Sequence, residues 1–118
     1  MSSTLSFWSL DPATGALTCC PRAAAILGTD GANLRMLHDV LERLIPADRL
    51  RLLRAGVESL KMRSMFDIVV LMRTPDGIRL LRVIGGTGFE PGQRHPHLHG
   101  VVERIAPEDP FGTAGRYL

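Results

Sequence analysis

The hydrophobic and polar positions at the start of the chain indicate a pair of short strands. Ser6–Leu10, with two adjacent aromatic residues, has the composition of a strand, and Ala16–Cys20 is the segment that would pair with it. The loop between them, Asp11-Pro12-Ala13-Thr14-Gly15, begins with Asp and ends with Gly, which is typical of hairpin connections. The sequence therefore predicts an antiparallel hairpin over residues 6–20.

The middle of the chain has the period of amphipathic helices. Pro21 favours the start of a short helix over Arg22–Leu27, which Gly28 ends. Asn33 predicts the N-terminus of a second helix that runs through Leu44, and Pro46 begins a third. The apolar stripes of these two helices are Leu34, Leu37, Leu41 and Leu44, and then Leu50, Leu53, Val57 and Leu60. Both stripes are expected to pack on another element.

The second half of the chain returns to strands. Met65–Arg73 and Ile78–Thr87 are largely apolar and flank the strong hairpin turn Thr74-Pro75-Asp76-Gly77. A Gly/Pro turn leads to a last strand, His97–Ile105. The order of elements predicts an α+β fold, in which a five-stranded antiparallel sheet has helices packed on one face. The domain is expected to span residues 6–105, between an N-terminal lead of residues 1–5 and a flexible tail or linker of residues 106–118.

The strand Met65–Arg73 is apolar on both faces, although an antiparallel sheet commonly has one polar face. Val69 and Leu71 lie opposite the face that carries Phe66, Ile68, Val70 and Met72. The helices cover one face, and the five residues before the first strand are too few for a helix that would cover the other. We therefore expect a homodimer that buries the outer face at Val69 and Leu71, unless a segment of a longer protein covers it.

Composition and charge exclude several classes of protein. The chain has 118 residues, 45% hydrophobic and 22% charged, which is the balance of one globular domain. No apolar run reaches the roughly 20 residues of a membrane-spanning helix, and the N-terminus lacks the regions of a secretory signal. The net charge of +2 comes from cations that do not gather on one face, so no nucleic-acid partner is expected. We expect a cytoplasmic protein in which Cys19 and Cys20 are reduced packing residues and no part inserts into a membrane.

Five segments carry, in order, the sequence signatures of one known family. They are Trp8-Ser9-Leu10-Asp11 with Thr14-Gly15, similar to W-x-x-D-x-x-T-G; Pro21 through Ile26-Leu27-Gly28, similar to a short helix that ends in I-L-G; Ile45-Pro46-Ala47-Asp48-Arg49, similar to H-P-x-D-R; Arg73-Thr74-Pro75-Asp76-Gly77, similar to R-x-x-D-G; and Leu98-His99-Gly100-Val101-Val102, similar to L-x-G-V. Together they resemble the PAS domain family found in bacterial signalling proteins. The similarity covers residues 6–105. It departs from the family at Ile45, where His is common, and at Glu103-Arg104-Ile105, which replaces the usual D-I-T exit toward an output domain.

The resemblance implies a sensory or interaction module that is commonly dimeric and usually not an enzyme. Such a module passes a signal to an output domain or partner protein, for example a kinase, a cyclase or a transcriptional regulator. Some members hold haem, flavin or a small metabolite. Photoreactive flavin members have a sequence similar to N-C-R-F-L around their cysteine, and neither Cys19 nor Cys20 lies in such a sequence. Haem-binding members supply a His from a helix as axial ligand, and the helix from Pro46 to Met62 contains no His. His38 is interpreted as a half-exposed helix residue. Haem and photoreactive flavin are disfavoured, and the cofactor is unknown.

A ligand pocket, if one exists, is expected between the inner face of the sheet and the two longer helices. The same side chains can instead fill a closed core, because protein interiors pack densely. The chain has only six aromatic residues, which offer few stacking partners to a large planar ligand and favour a small apolar or weakly polar one. The expected walls are Leu41, Leu53, Val57, Leu60, Phe66 and Ile68.

The segment His95-Pro96-His97-Leu98-His99 is the sharpest candidate for metal chemistry. Residues two apart on an extended chain share a face, so His97 and His99 could ligate one divalent metal ion, with His95 as a third ligand. The alternative is a group of histidines beside the sheet that holds no metal. Glu90 is the only acidic residue near this segment before Glu103.

Gly85-Gly86-Thr87-Gly88 invites comparison with a phosphate-binding loop, but such a loop opens a helix and no helix is predicted here. We interpret the glycines as strand-end flexibility or a bulge. The sequence has no G-x-S-x-G or H-E-x-x-H, so it does not predict an enzyme. The favoured function is a PAS-like sensory or interaction module. The alternatives are a structural dimerisation domain with a filled core and a small His-ligated metal protein.

Overall fold

The structure is a computed structural model, and it describes residues 6–28, 35–89, 92 and 94–105. Its elements are β1 (Phe7–Leu10), β2 (Leu17–Cys19), α1 (Pro21–Ile26), α2 (Leu37–Leu41), α3 (Pro46–Met62), β3 (Phe66–Thr74), β4 (Gly77–Gly88) and β5 (His97–Ile105). The strands form one antiparallel sheet in the order β2-β1-β5-β4-β3. This arrangement confirms the predicted α+β fold. The predicted tail of residues 106–118 lies outside the described residues.

The second helix is much shorter than predicted, whereas the other elements agree with the sequence pattern to within one residue at each end. The expected N-terminal residue Asn33 lies outside the described residues. Met36 is extended and forms a β-bridge with Ala16. Leu44 lies beyond the end of the helix and forms a β-bridge with Met72. Pairing with the two edges of the sheet therefore takes both ends of the predicted helix out of helical conformation.

Residues between β2 and β3 form hydrogen bonds with both edge strands of the sheet. The N–H of Leu17 in β2 donates to the carbonyl of Arg35 at 2.7 Å. On the β3 side, the N–H of Leu71 donates to Oδ2 of the buried Asp48 at 2.8 Å, and Arg51 donates to the carbonyl of Val69 at 2.8 Å. At these positions, backbone groups of the edge strands that would otherwise be unpaired are bonded to residues between β2 and β3.

The core lies between the inner face of the sheet and the helices. Its cluster of buried residues consists of Ala23, Leu27, Leu44, Val70, Met72, Leu81 and Val102. The position of Leu50 was predicted wrongly: it is 49% exposed, and Leu52 packs against this cluster instead. The reason is that Gly56 and the buried Ser59 lie on the same side of α3 as Leu52, and this small-residue side approaches the sheet near Leu98.

Among the described residues, no helix has the length and apolar character required to cross a membrane.

Candidate functional site

A cavity of about 330 Å³ lies between the inner face of the sheet and helices α2 and α3. Its walls come from both helices, from β1 to β5 and from the β1–β2 turn, which contributes Pro12 and Gly15. None of the described residues that line it carries a charged side chain. The volume is within the range of small-molecule sites in proteins. The lining suits an uncharged, largely apolar molecule, because a charge would lose its hydration without gaining a partner.

The structure brings together most of the residues expected to form a pocket. Leu53, Val57, Leu60 and Phe66 line the cavity. Leu41 and Ile68 instead pack against the core cluster. Sequence reasoning did not identify Trp8 or Leu98 as walls, since only the pairing of β1 with β5 brings the N-terminal hairpin against this side of the sheet. The position of Trp8 in the opening hairpin signature was the available signal.

Glycines in β4 allow two aromatic rings to lie directly against the strand. Gly85 pairs in regular register with Phe66 and with Gly100, so the expected strand-end flexibility or bulge is wrong at this position. A Cβ at Gly85 would lie 2.7 Å from atoms of both Phe66 and Trp8. The Trp8 indole N–H donates to the carbonyl of Val101 at 3.1 Å, which holds that ring in place. The glycine is therefore required for close packing beside the cavity.

The adjacent cysteines occupy different environments. Cys19 lines the cavity, and burial, assisted by the neighbouring Cys20, raises the pKa of its thiol to about 11. Cys20 precedes α1, where the N–H of Ala23 is the largest cause that lowers the pKa of its thiol. Its Sγ also accepts the N–H of Phe7 at 3.2 Å. Both cysteines are free, and Cys19 is protonated at neutral pH.

The cavity offers few side chains that could hold haem or flavin. No histidine among the described residues lines it, and the protonated Cys19 is a poor axial ligand for haem iron. His38 is an exposed residue of α2 that contacts Asp39 at 3.2 Å. A flavin phosphate would meet no charged side chain among the described lining residues. These residues therefore do not fit either group.

The outer face of the sheet carries a half-exposed apolar surface. Val69 is 37% exposed and Leu71 is partly buried, and both alternate with the buried Val70 and Met72. The charges on this face include Arg82, which is opposite Val69 in the β3–β4 pair and donates to both carboxylate oxygens of Asp67. The other apolar residues that the register places on this face are Phe7, Ile78, Leu80, Ile84, Val101 and Ile105.

Two of the three candidate metal ligands lie together with an aspartate that the sequence analysis had not selected. His95 Nε2 lies 2.7 Å from Asp11 Oδ1, and His97 Nε2 lies 3.8 Å from Asp11 Oδ2. The ring centroids of His95 and His97 are 5.1 Å apart, and those of His97 and His99 are 6.1 Å apart. The converging cluster is Asp11, His95 and His97. The antiparallel pair of β1 and β5 creates it, because Leu10 pairs with Leu98.

Comparison with known proteins gives structural neighbours only. No protein-family model and no curated protein matches the sequence. A sensory box histidine kinase/response regulator from Burkholderia thailandensis superimposes with a TM-score of 0.72 at 23% identity, covering 96% of this chain and 86% of that one. The N-terminal domain of a diguanylate cyclase with PAS/PAC sensor from Marinobacter aquaeolei gives a TM-score of 0.73 at 18% identity, covering 89% and 98%. A PAS domain of an HTR-like protein from Haloarcula marismortui gives 0.62 at 18% identity, covering 87% and 83%. The chain therefore has the fold of a PAS domain.

Proposed function

We propose that this chain is a PAS-type sensory module of a signalling protein, which binds a small, uncharged, largely apolar ligand between its sheet and α3. In this proposal the module dimerises through its outer sheet face and passes the signal to an output domain or partner protein, and it is not itself an enzyme. The observation that carries the proposal is the cavity of about 330 Å³, which no charged side chain of the described residues lines.

The cavity is suited to sensing because exposed side chains of one helix and residues of the sheet both form its wall. Leu53 and Val57 of α3 line it while remaining 40% and 49% exposed, so its opening lies along this helix. A ligand that covers these side chains gains apolar burial, at roughly 25 cal/mol per Å². The same ligand contacts Trp8 on β1, and β1 pairs with the central strand β5. Ligand binding thus connects α3 with the sheet.

Paired probes test the class of ligand. We expect 1-octanol to raise the thermal unfolding midpoint and to change the fluorescence of Trp8, the only tryptophan in the chain. Octanoate, with the same chain and a carboxylate, is expected to bind at least about tenfold more weakly, because its charge would be desolvated without a partner. Native mass spectrometry of untagged protein will identify any ligand that co-purifies. If octanoate binds as tightly as octanol, the proposed ligand class is wrong.

A cavity-filling variant distinguishes the cavity from non-specific binding. Val83→Phe adds volume at a residue of β4 that lines the cavity and is expected to abolish the octanol response. Leu50→Phe makes the same kind of change at an exposed residue of α3 that does not line the cavity, and is expected to retain the response. If wild-type protein responds to neither probe, the alternative of a structural dimerisation domain without a ligand replaces this proposal.

Dimerisation through the outer face is tested separately. Val69 is exposed on edge strand β3, and the neighbouring charges Asp67 and Arg82 already pair within the chain, so a second copy would bury few unpaired charges. We expect a dimer in sedimentation velocity at micromolar concentration and a monomer for Val69→Arg. Leu50→Arg, at an exposed residue of α3, is the control and should remain dimeric. A monomeric wild-type protein would contradict this part of the proposal and leave the ligand test unaffected.

A further inference from the structure

We propose that Asp11, His95 and His97 form a binding site for one divalent transition-metal ion, with Zn²⁺ as its representative, at the end of the β1–β5 pair where β1 ends and β5 begins. This site is separate from the apolar cavity. It uses residues from the two ends of the chain, and the proposal does not depend on the ligand-binding function.

The backbone places the three donor groups together. Asp11 directly follows β1 and His97 is the first residue of β5, and the pairing of Leu10 with Leu98 sets Asp11 opposite His97. His95 lies two residues before His97. Each residue offers one ligand atom, and these atoms lie within 4.8 Å of one another.

The two distances that involve Asp11 are close to the donor spacing around a bound zinc ion. Zinc lies about 2.0–2.2 Å from imidazole nitrogen and carboxylate oxygen, which places its donors about 3–3.5 Å apart. The contacts from Asp11 Oδ1 to His95 Nε2, at 2.7 Å, and from Asp11 Oδ2 to His97 Nε2, at 3.8 Å, lie on either side of that range. An ion would take the place of the hydrogen bond between His95 and Asp11.

The surroundings orient the carboxylate and leave access for the ion. The N–H of Ala13 donates to Asp11 Oδ1 at 2.9 Å, so the turn itself holds the carboxylate, as outer-shell partners of metal ligands commonly do. The side chains of Asp11 and His97 are 23% and 17% exposed, and that of His95 is 42% exposed. An ion therefore reaches the donors from solvent without opening the core.

The donor set selects the class of ion. Two imidazoles and one carboxylate suit zinc, nickel, cobalt and copper, whereas calcium and magnesium prefer oxygen ligands. Three protein ligands leave at least one coordination position for water or for an outside ligand. The ion would join the N-terminal hairpin to the start of β5, next to Leu10, Pro12 and Leu98, which line the cavity.

Calorimetric titration of untagged protein with ZnCl₂ tests the site. We expect one ion per chain, and an affinity at least about tenfold lower in Asp11→Asn and in His97→Ala. Asp11→Asn keeps an oxygen that can accept the Ala13 N–H, so the turn should persist. Circular dichroism in EDTA checks the fold of each variant, and His97→Gln replaces His97→Ala if the latter unfolds.

Matched controls separate this site from weaker ones. His38 and Asp39 form another His–Asp contact, at 3.2 Å, and no third donor group among the described residues converges on it. His38→Ala is therefore expected to bind Zn²⁺ like the wild type. His99→Ala is also expected to retain binding, because Asp11 completes the converging cluster. The proposal is wrong if the wild-type protein shows no saturable binding of Zn²⁺. It is also wrong if His99→Ala loses affinity for Zn²⁺ while Asp11→Asn keeps it. Absorption bands of bound Co²⁺ in the visible range give a second, independent readout.

Discussion

The two faces of the sheet come from the same strands but have different chemistry. On the inner face, Val70 and Met72 are at most 2% exposed, and the adjoining cavity has no charged side chain among its described lining residues. On the outer face, the apolar Val69 lies beside the ion pair of Asp67 and Arg82. The comparison shows that strand alternation assigns each side chain to a face, while the elements packed on that face determine its environment.

The largest expected difference between the faces is in the stability cost of a substitution at two adjacent glycines, Gly85 on the inner face and Gly86 on the outer face. Gly85→Ala would bring a Cβ to 2.7 Å from the rings of Phe66 and Trp8, whereas Gly86→Ala would meet the sulfur of the exposed Met65. We expect Gly85→Ala to lower the free energy of unfolding by about 1–3 kcal/mol, because both rings lie directly against the strand and the hydrogen bond to the Val101 carbonyl holds the Trp8 ring there. Gly86→Ala should change it by less than about 0.5 kcal/mol, since an exposed side chain can move away. Urea unfolding measures both, and equal values would contradict the comparison.

The second prediction concerns the adjacent cysteines. Burial raises the pKa of Cys19 to about 11, while nearby backbone N–H groups lower the pKa of Cys20. We expect Cys20 to react with a disulfide reagent at pH 8 at least about tenfold faster than Cys19, because the thiolate is the reactive form. Cys20→Ser should remove the fast phase and Cys19→Ser the slow one. A single shared rate in the wild type would show that the environments are equivalent.

The smallest expected effect is the pH dependence of the outer-face ion pair. The hydrogen bond from Arg82 lowers the pKa of Asp67 below its ordinary value of 3.8. A carboxyl group with a lowered folded-state pKa stabilises the fold above the unfolded pKa, and this contribution is lost as the pH falls below about 4. The thermal midpoint of wild-type protein should therefore fall more steeply below pH 4 than that of Asp67→Asn.

Two controls test whether this pH dependence comes from the ion pair of Asp67 and Arg82. Arg82→Gln should reduce the acid dependence to the same extent, because it removes the partner of Asp67. High salt should weaken the difference, since both groups are exposed to solvent and screened. Parallel midpoint curves for wild type and Asp67→Asn would mean that the pair contributes nothing measurable.

Local signals were sufficient for most of the secondary structure. The turn residues Thr74 to Gly77 predicted the β3–β4 hairpin, and Asp76 there finds its partners within three residues: Arg79 and Thr74 lower its pKa to about 2. The α2 region could not be predicted in the same way. Met36 lies within the span predicted as helix and Leu44 belongs to its apolar stripe, but backbone pairing with Ala16 and Met72 decides their conformation.

The candidate sites required contacts between distant parts of the chain. Four of the six expected wall residues line the cavity, because the spacing of apolar residues in β3 and α3 predicts which side chains face inward. Trp8 and Leu98 join them only through the pairing of β1 with β5. Asp11 is 84 residues from His95, so no local spacing predicted their contact.

The sequence by itself determined the periods of its strands and helices, the turns between them and the order that predicts a PAS-like α+β fold. These features depend on residues a few positions apart, where side-chain direction and turn geometry act locally. The tertiary structure decided the extent of α2, the shape of the cavity and the partner of Asp11. Each of these depends on which strand lies beside which, and that is set by burial across the whole sheet rather than by any single segment.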